Sequence, residues 1–88
     1  MTIERNKGSI KYYENEKLLA EIDFPSFDKN TIIITHTFVD ESLKGQGIGK
    51  KLVEEVIEYA KKNNLHIKAS CSFAIHYFSK NECPLYIK

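Results

Sequence analysis

The sequence predicts an α/β (α+β) domain with a mixed antiparallel and parallel sheet, its elements running β-β-β-α-β-α. Three observations carry this. The first third of the chain alternates apolar and polar residues with the period of strands. A run rich in β-branched residues follows from Thr31 to Val39. Apolar residues then recur at helical spacing from Gly47 or Ile48 to about Asn63. A buried strand, a helix and a further short strand in succession make a crossover unit, whose two strands lie parallel and whose hand is right. The strands before it form an antiparallel meander, and the helices pack on the resulting mixed sheet.

Taken in order, Ser9 to Glu14 reads as a strand with Ile10 and Tyr12 on one face. Asn15-Glu16-Lys17 reads as a turn. Leu18 to Phe24 reads as the returning strand of a hairpin, with Leu18, Ala20, Ile22 and Phe24 on one face. The stretch Pro25-Ser26-Phe27-Asp28-Lys29-Asn30 breaks the alternation and reads as a loop. In Thr31 to Val39 apolar residues are consecutive rather than alternating, so the strand is expected to be central and buried on both faces. Asp40-Glu41-Ser42 ends it.

The long helix presents Leu52, Val53, Val56, Ile57 and Ala60 inward and Glu54, Glu55, Glu58 and Lys61 outward. Glu54 and Glu58 stand three or four residues from Lys50, Lys51, Lys61 and Lys62, at ion-pair spacing. Asn63-Asn64 supplies a left-handed stop. Leu65 to Ser70 is a short strand. A second helix runs from about Phe73 to Lys80, with Ser70 or Ser72 as its cap.

Composition bounds the function. The 88 residues make one domain, 1–88, with 42% hydrophobic and 28% charged residues. The net charge of +1 argues against nucleic acid or an anionic membrane as partner. No apolar run is long enough to span a bilayer, and the polar start Met1-Thr2-Ile3-Glu4-Arg5-Asn6-Lys7 holds no signal-peptide core. The expected location is cytoplasmic. Cys71 and Cys83 form no CxxC pair and are expected as free thiols, and no metal site is expected.

The most informative stretch is Lys44-Gly45-Gln46-Gly47-Ile48-Gly49-Lys50-Lys51. It lies between the buried strand and the long helix. Glycines at alternate positions bare the backbone, and the helix start adds unpaired N–H donors and the positive end of the dipole. Two lysines in a first helical turn oppose that dipole unless they answer a bound phosphate. The glycine spacing is neither that of a Walker A loop nor that of a dinucleotide fingerprint.

The stretch from Phe38 to Leu52 resembles the acetyl-CoA-binding motif of the GNAT N-acetyltransferase superfamily, Arg/Gln-x-x-Gly-x-Gly/Ala between a strand and a helix. Gly47 and Gly49 stand at the two small positions, and Lys44 at the position usually held by Arg or Gln. Most of the chain is similar to the minimal GNAT-like group of small acetyltransferases. These lack the helices that usually follow the first strand, and carry segments similar to His36-Thr37-Phe38-Val39 and Ser70-Cys71-Ser72-Phe73. The resemblance implies a compact GNAT-like fold and acetyl-CoA, or coenzyme A, as cofactor. It implies that backbone near Phe38 and Val39 bonds the pantetheine arm, and that the loop Lys44, Gly45, Gln46, Gly47, Ile48, Gly49 and Lys50 holds the pyrophosphate.

Acetyl transfer needs a nucleophile and a proton acceptor. Cys71 ends a strand just before a helix start, a place that favours the thiolate. His36 lies on the strand expected beside it, as base or as partner of the thiolate. Each has a plainer reading, as a small core residue and a hydrogen-bonded core histidine. Either Cys71 is acetylated and passes the group on, or the acceptor amine attacks directly with Cys71 or His36 assisting. His66 and His76 read as surface or packing residues, and Tyr12, Tyr13, Phe24, Phe27 and Phe38 as core aromatics. Cys83, before Pro84, is incidental.

The expected function is transfer of acetyl from acetyl-CoA to an amine. So short a chain leaves little material for a closed acceptor pocket, which favours an open groove and a protein or peptide acceptor. A monomer or weak homodimer is expected. The rival reading is a non-catalytic acyl-CoA-binding or sensing module, in which Cys71 is dispensable. A small anion- or nucleic-acid-binding domain is disfavoured by the near-neutral charge.

Overall fold

The computed structural model describes residues 2–87 and shows the expected α+β arrangement. The antiparallel meander is β1 (Thr2–Asn6), β2 (Ser9–Glu14) and β3 (Lys17–Asp23). Next come β4 (Ser26–Asp28), β5 (Thr31–Ile34) and β6 (His36–Val39). A short 3-10 turn (Glu41–Leu43) leads to α1 (Ile48–Lys62), then β7 (His66–Ala69) and α2 (Ser72–Lys80). One sheet has the order β1-β2-β3-β6, and the other β4-β5-β7. The pair β5–β7 is parallel, as the crossover requires, and the other strand pairs are antiparallel.

Several elements differ from expectation. Thr2–Asn6, read as a polar start, is an edge strand, exposed along its whole length. Pro25–Asn30, read as a loop, contains β4. Pro25 has no N–H to give, but its carbonyl accepts from Ile33 N at 2.9 Å and keeps the chain in the sheet. The stretch Thr31–Val39 is not one strand buried throughout. It breaks at Thr35, where Thr35 N still bonds Asp23 O at 3.0 Å. The first half lies between β4 and β7, and Ile32 and Ile34 are buried there. The second half pairs with β3 alone, so His36 to Val39 are exposed or half-buried. The hairpin carries a bulge at Leu19, because Tyr12 faces Ala20 while Tyr13 faces Leu18. Leu19 thereby joins Ala20 among the buried residues.

Cross-strand partners share a face, so the register separates the two sides of the sheet. Ile10, Ile22 and Thr37 form one row, and Tyr12, Ala20 and Val39 the next, on the side where α1 packs. Lys11, Glu21 and Phe38, and next to them Asp23 and His36, lie on the other side. Both helices lie on the first side, since Phe73 of α2 touches Gly49 of α1. The least molecular dimension, 18 Å, is that of one sheet and one helix layer.

The core between the layers holds Phe24, Ile22, Ile34, Leu52, Val53, Val56 and Ile67, all fully buried. Phe27, expected in the core, is 54% exposed, with Lys68 Nζ 5.0 Å above its ring. Helix α1 buries Leu52, Val53, Val56 and Ala60 as its periodicity predicts, with Ile57 half-buried. Its end is a Schellman turn. Asn64 takes φ 55°, Leu65 N bonds Ala60 O at 2.9 Å, and Asn63 Nδ2 bonds Tyr59 O. Arg5 ties β1 to α1 through Glu55 at 2.6 Å.

Candidate functional site

The site begins with the loop before α1. Asp40 caps the 3-10 turn, its carboxylate accepting from the amide and hydroxyl of Ser42, and these bonds hold its pKa below the usual range. The chain then needs left-handed backbone at two places, Gly45 at φ 84° and Gly47 at φ 72°. A Cβ at either would meet nothing within 4 Å, so these glycines serve conformation and leave open space before the backbone. Gly47 is the N-cap of α1 and brings no capping side chain. The first-turn N–H groups therefore lack a side-chain acceptor. The first turn also carries no acidic residue.

Charge is arranged to suit. Of the ion pairs expected along α1, Glu58–Lys61 forms at 3.7 Å. Among the described residues no carboxylate pairs with Lys50 or Lys51, which both stand exposed at the helix start. Lys44 reaches only Glu41 of its own turn, at 3.4 Å. The loop thus offers bare amides, a dipole end and free ammonium groups to an anion.

Gly49 differs from the other two glycines. It lies buried inside α1, and a Cβ there would stand 2.6 Å from Cζ of Phe73. Its smallness makes room for the aromatic ring of α2 rather than for an unusual backbone.

From the loop a groove of about 710 Å³ runs along β6, walled by Thr37, Phe38, Val39, Gly45, Gly47 and Phe73 among others. Its cause is the break at Thr35. Beyond Ala69 the chain of β7 turns away, with Ser70 N and Cys71 N both donating to Ile34 O at 3.0 and 3.2 Å. Among the described residues β6 therefore keeps one edge without a strand, open to an extended partner that offers amides and carbonyls.

Cys71 sits where that splay begins. It is the N-cap of α2, in place of the serines expected there. Its Sγ lies 3.4 Å from Oγ1 of Thr37, a residue of the groove wall. Burial pushes the thiol pKa up, but the Thr37 hydroxyl and the amides of Ala74, Phe73 and Thr37 outweigh it, and the pKa lies below the ordinary thiol value. No first-turn amide makes a full hydrogen bond to Sγ, so these amides act by proximity and Thr37 makes the direct contact.

The sheet does not bring His36 to Cys71. On β6 successive side chains alternate, so Thr37 faces the thiol and His36 faces the opposite, helix-free side. There His36 stands with Glu21 and Asp23, their nearest ligand-type atoms all within 4.8 Å of one another. Burial, and then the hydrogen bond and charge of Asp23, raise the Glu21 pKa, against Lys11 and His36, which lower it. The groove collects Phe38, Val39, Lys44, Gly45, Gly47, Gly49 and Lys50. Gln46 and Ile48 lie within the same loop, Gln46 turned back to Ser42 O at 3.4 Å and Ile48 half-buried.

Three residues of the groove, Thr37, Leu43 and Phe73, escape a reading of the sequence. Thr37 belongs to a run chosen by strand propensity, where every residue looks alike. Its parity against His36 was the one available signal. Phe73 stands two residues after Cys71, and its exposure in the groove follows only from packing.

The chain matches a family model described as GCN5-related N-acetyl-transferase over residues 9–86. A GCN5-like chain from Staphylococcus aureus, solved by NMR in solution, is 40% identical, with a TM-score of 0.82 over 98% of this chain and 87% of that one. A GNAT family acetyltransferase from Elizabethkingia anophelis, solved with acetyl-CoA bound, shares the fold at 22% identity. Its TM-score is 0.64 over 82% of this chain and 50% of that one. Protein NATD1 of Xenopus tropicalis is 27% identical over 60 residues, 68% of this chain. That match spans 55% of the relative's length.

Proposed function

Since this chain belongs to the GCN5-related N-acetyltransferase family, we propose that it moves an acetyl group from acetyl-CoA to an amine acceptor. The observation that carries the reading is the thiol of Cys71, with its lowered pKa, in contact with Thr37, a wall of the groove that starts at the glycine loop. The fit to coenzyme A rests on the open space before Gly45 and Gly47, the unpaired lysines and the strandless edge of β6. The relative with acetyl-CoA bound has the same fold.

Bound acetyl-CoA supplies a thioester carbonyl open to a nucleophile. The loop amides with Lys44 and Lys50 hold the pyrophosphate, and backbone of Phe38 and Val39 takes the arm. The Cys71 thiolate attacks the acetyl carbon, and the bond to the coenzyme sulfur breaks. The acceptor amine then attacks the acetyl group on Cys71, which leaves as thiolate. The proton of the amine passes to water. Thr37 and the first turn of α2 lower the pKa of Cys71, which favours it both as a nucleophile and as a leaving group. The open groove suits an acceptor amine on a protein or peptide.

Release of coenzyme thiol from acetyl-CoA tests this. Cys71→Ala is expected to keep coenzyme binding and lose turnover. Turnover that survives the substitution means that the amine attacks acetyl-CoA directly. Binding without turnover in the unaltered protein means a non-catalytic acyl-CoA-binding module.

A further inference from the structure

The helix-free face of the sheet carries a group of side chains that the transfer described above leaves unused. Glu21 and Asp23 stand two residues apart on β3 and so point the same way, and Asp23 is the cross-strand partner of His36 on β6. Their lengths suit the geometry. Directly opposite residues are close enough for the short Asp23, and the longer Glu21 spans the diagonal to His36. One ligand-type atom from each of the three lies within 4.8 Å of the others. The Glu21 side chain is only 18% exposed, so its carboxylate is poorly served by water. Beyond one another, the three side chains have a single partner among the described residues, the Lys11 ammonium, 3.8 Å from Glu21. Two carboxylates and an imidazole thus converge with one cation at long range. Carboxylates alone do not choose an ion, but the imidazole beside them does.

We infer that Glu21, Asp23 and His36 bind a divalent cation of the zinc type, through one imidazole nitrogen and one oxygen from each carboxylate. Imidazole suits zinc, whereas magnesium and calcium take oxygen donors. Three protein ligands leave the fourth tetrahedral position to water, which the open face admits. The donors sit on paired strands, so the ladder rather than a loop sets their spacing. The ion joins the end of β3 to the start of β6, directly beside the break at Thr35. Among the described residues β6 has no strand on its other edge. The ion therefore pins the strand whose next residue, Thr37, touches Cys71. The sequence conceals this site, because Asp23 and His36 meet only through the register and show no ligand spacing. It stands independently of coenzyme binding, which takes place on the other face.

Thermal unfolding with zinc, magnesium or calcium chloride tests this, in a Cys71→Ser, Cys83→Ser background that removes the thiols as rival zinc ligands. Saturating zinc is expected to raise the midpoint by several degrees, and magnesium or calcium at the same concentration by far less. His36→Ala and Asp23→Asn are each expected to abolish the rise. The metal-free midpoint of each variant establishes that it is folded. Lys11→Ala removes the competing ammonium and is expected to tighten zinc binding several-fold, an effect of the opposite sign. Cobalt(II) in place of zinc is expected to give visible absorption that His36→Ala removes. No rise with zinc, a rise that persists in His36→Ala, or equal rises with zinc and calcium overturns the assignment.

Discussion

At the scale of single residues the account turns on which side of β6 a side chain occupies. Thr37 and His36 are neighbours in sequence and lie on opposite faces, and only Thr37 meets Cys71. The thiol pKa is lowered because the Thr37 hydroxyl and nearby amides favour the charged form more than burial disfavours it. Alkylation of Cys71 by iodoacetamide, measured against pH in a Cys83→Ser background, should therefore have a midpoint below the ordinary thiol value. Thr37→Val removes the hydroxyl and leaves the burial. The midpoint then rises, and the rate at neutral pH falls several-fold. An unmoved midpoint would show that the hydroxyl contributes nothing to the thiolate. The place of Cys71 between a strand and a helix start was legible in the sequence, because both elements carry local signals. Its partner was not. A threonine in a β-branched run looks like strand propensity until the register is known.

At the scale of elements, legibility followed burial. Helix α1 was clear from its apolar stripe and its Asn63-Asn64 stop, since both are local signals that packing then reinforces. The strands β1 and β4 were not, because edge strands exposed on both faces show no alternation. The break at Thr35 was hidden for a different reason. It is set by which strands flank each half, and pairing partners lie far away in sequence. The turn between β2 and β3 allows a direct check. Asn15 and Glu16 both take positive φ, 50° and 66°, as a two-residue hairpin turn requires. Asn tolerates this and Glu does not, at a cost of roughly 1 kcal/mol. Glu16→Gly should raise the thermal midpoint by about 4–8 °C for a domain of this size. A lowered midpoint would mean that the turn has another conformation. At the start of α1 the sign reverses: Gly47→Ala meets no clash but must hold φ 72°, and should lower the midpoint.

At the scale of the whole molecule, one sheet face carries both helices and the other carries none, so β6 is reached from two sides. The groove on the helix side runs from the glycine loop to Thr37, which contacts Cys71, and the helix-free side presents His36, Glu21 and Asp23. The order of strands and helices and the parallel β5–β7 pair were legible because a crossover leaves little topological choice. The strandless edge of β6 was not, since it depends on where β7 turns away at Ser70 and Cys71. The central claim is that this edge and the loop before it bind acetyl-CoA. Thermal unfolding with acetyl-CoA, with ATP and with no ligand, on the unaltered protein and on Gly47→Val, tests it most directly. Ligand at about a hundred times its dissociation constant adds roughly 2.7 kcal/mol. That corresponds to a rise of about ten degrees or more in a domain of this size. The account predicts such a rise with acetyl-CoA, little with ATP, and none with either in Gly47→Val beyond its own lower starting point. No rise with acetyl-CoA in the unaltered protein would contradict it, leaving the glycine loop as a turn and the groove without its ligand.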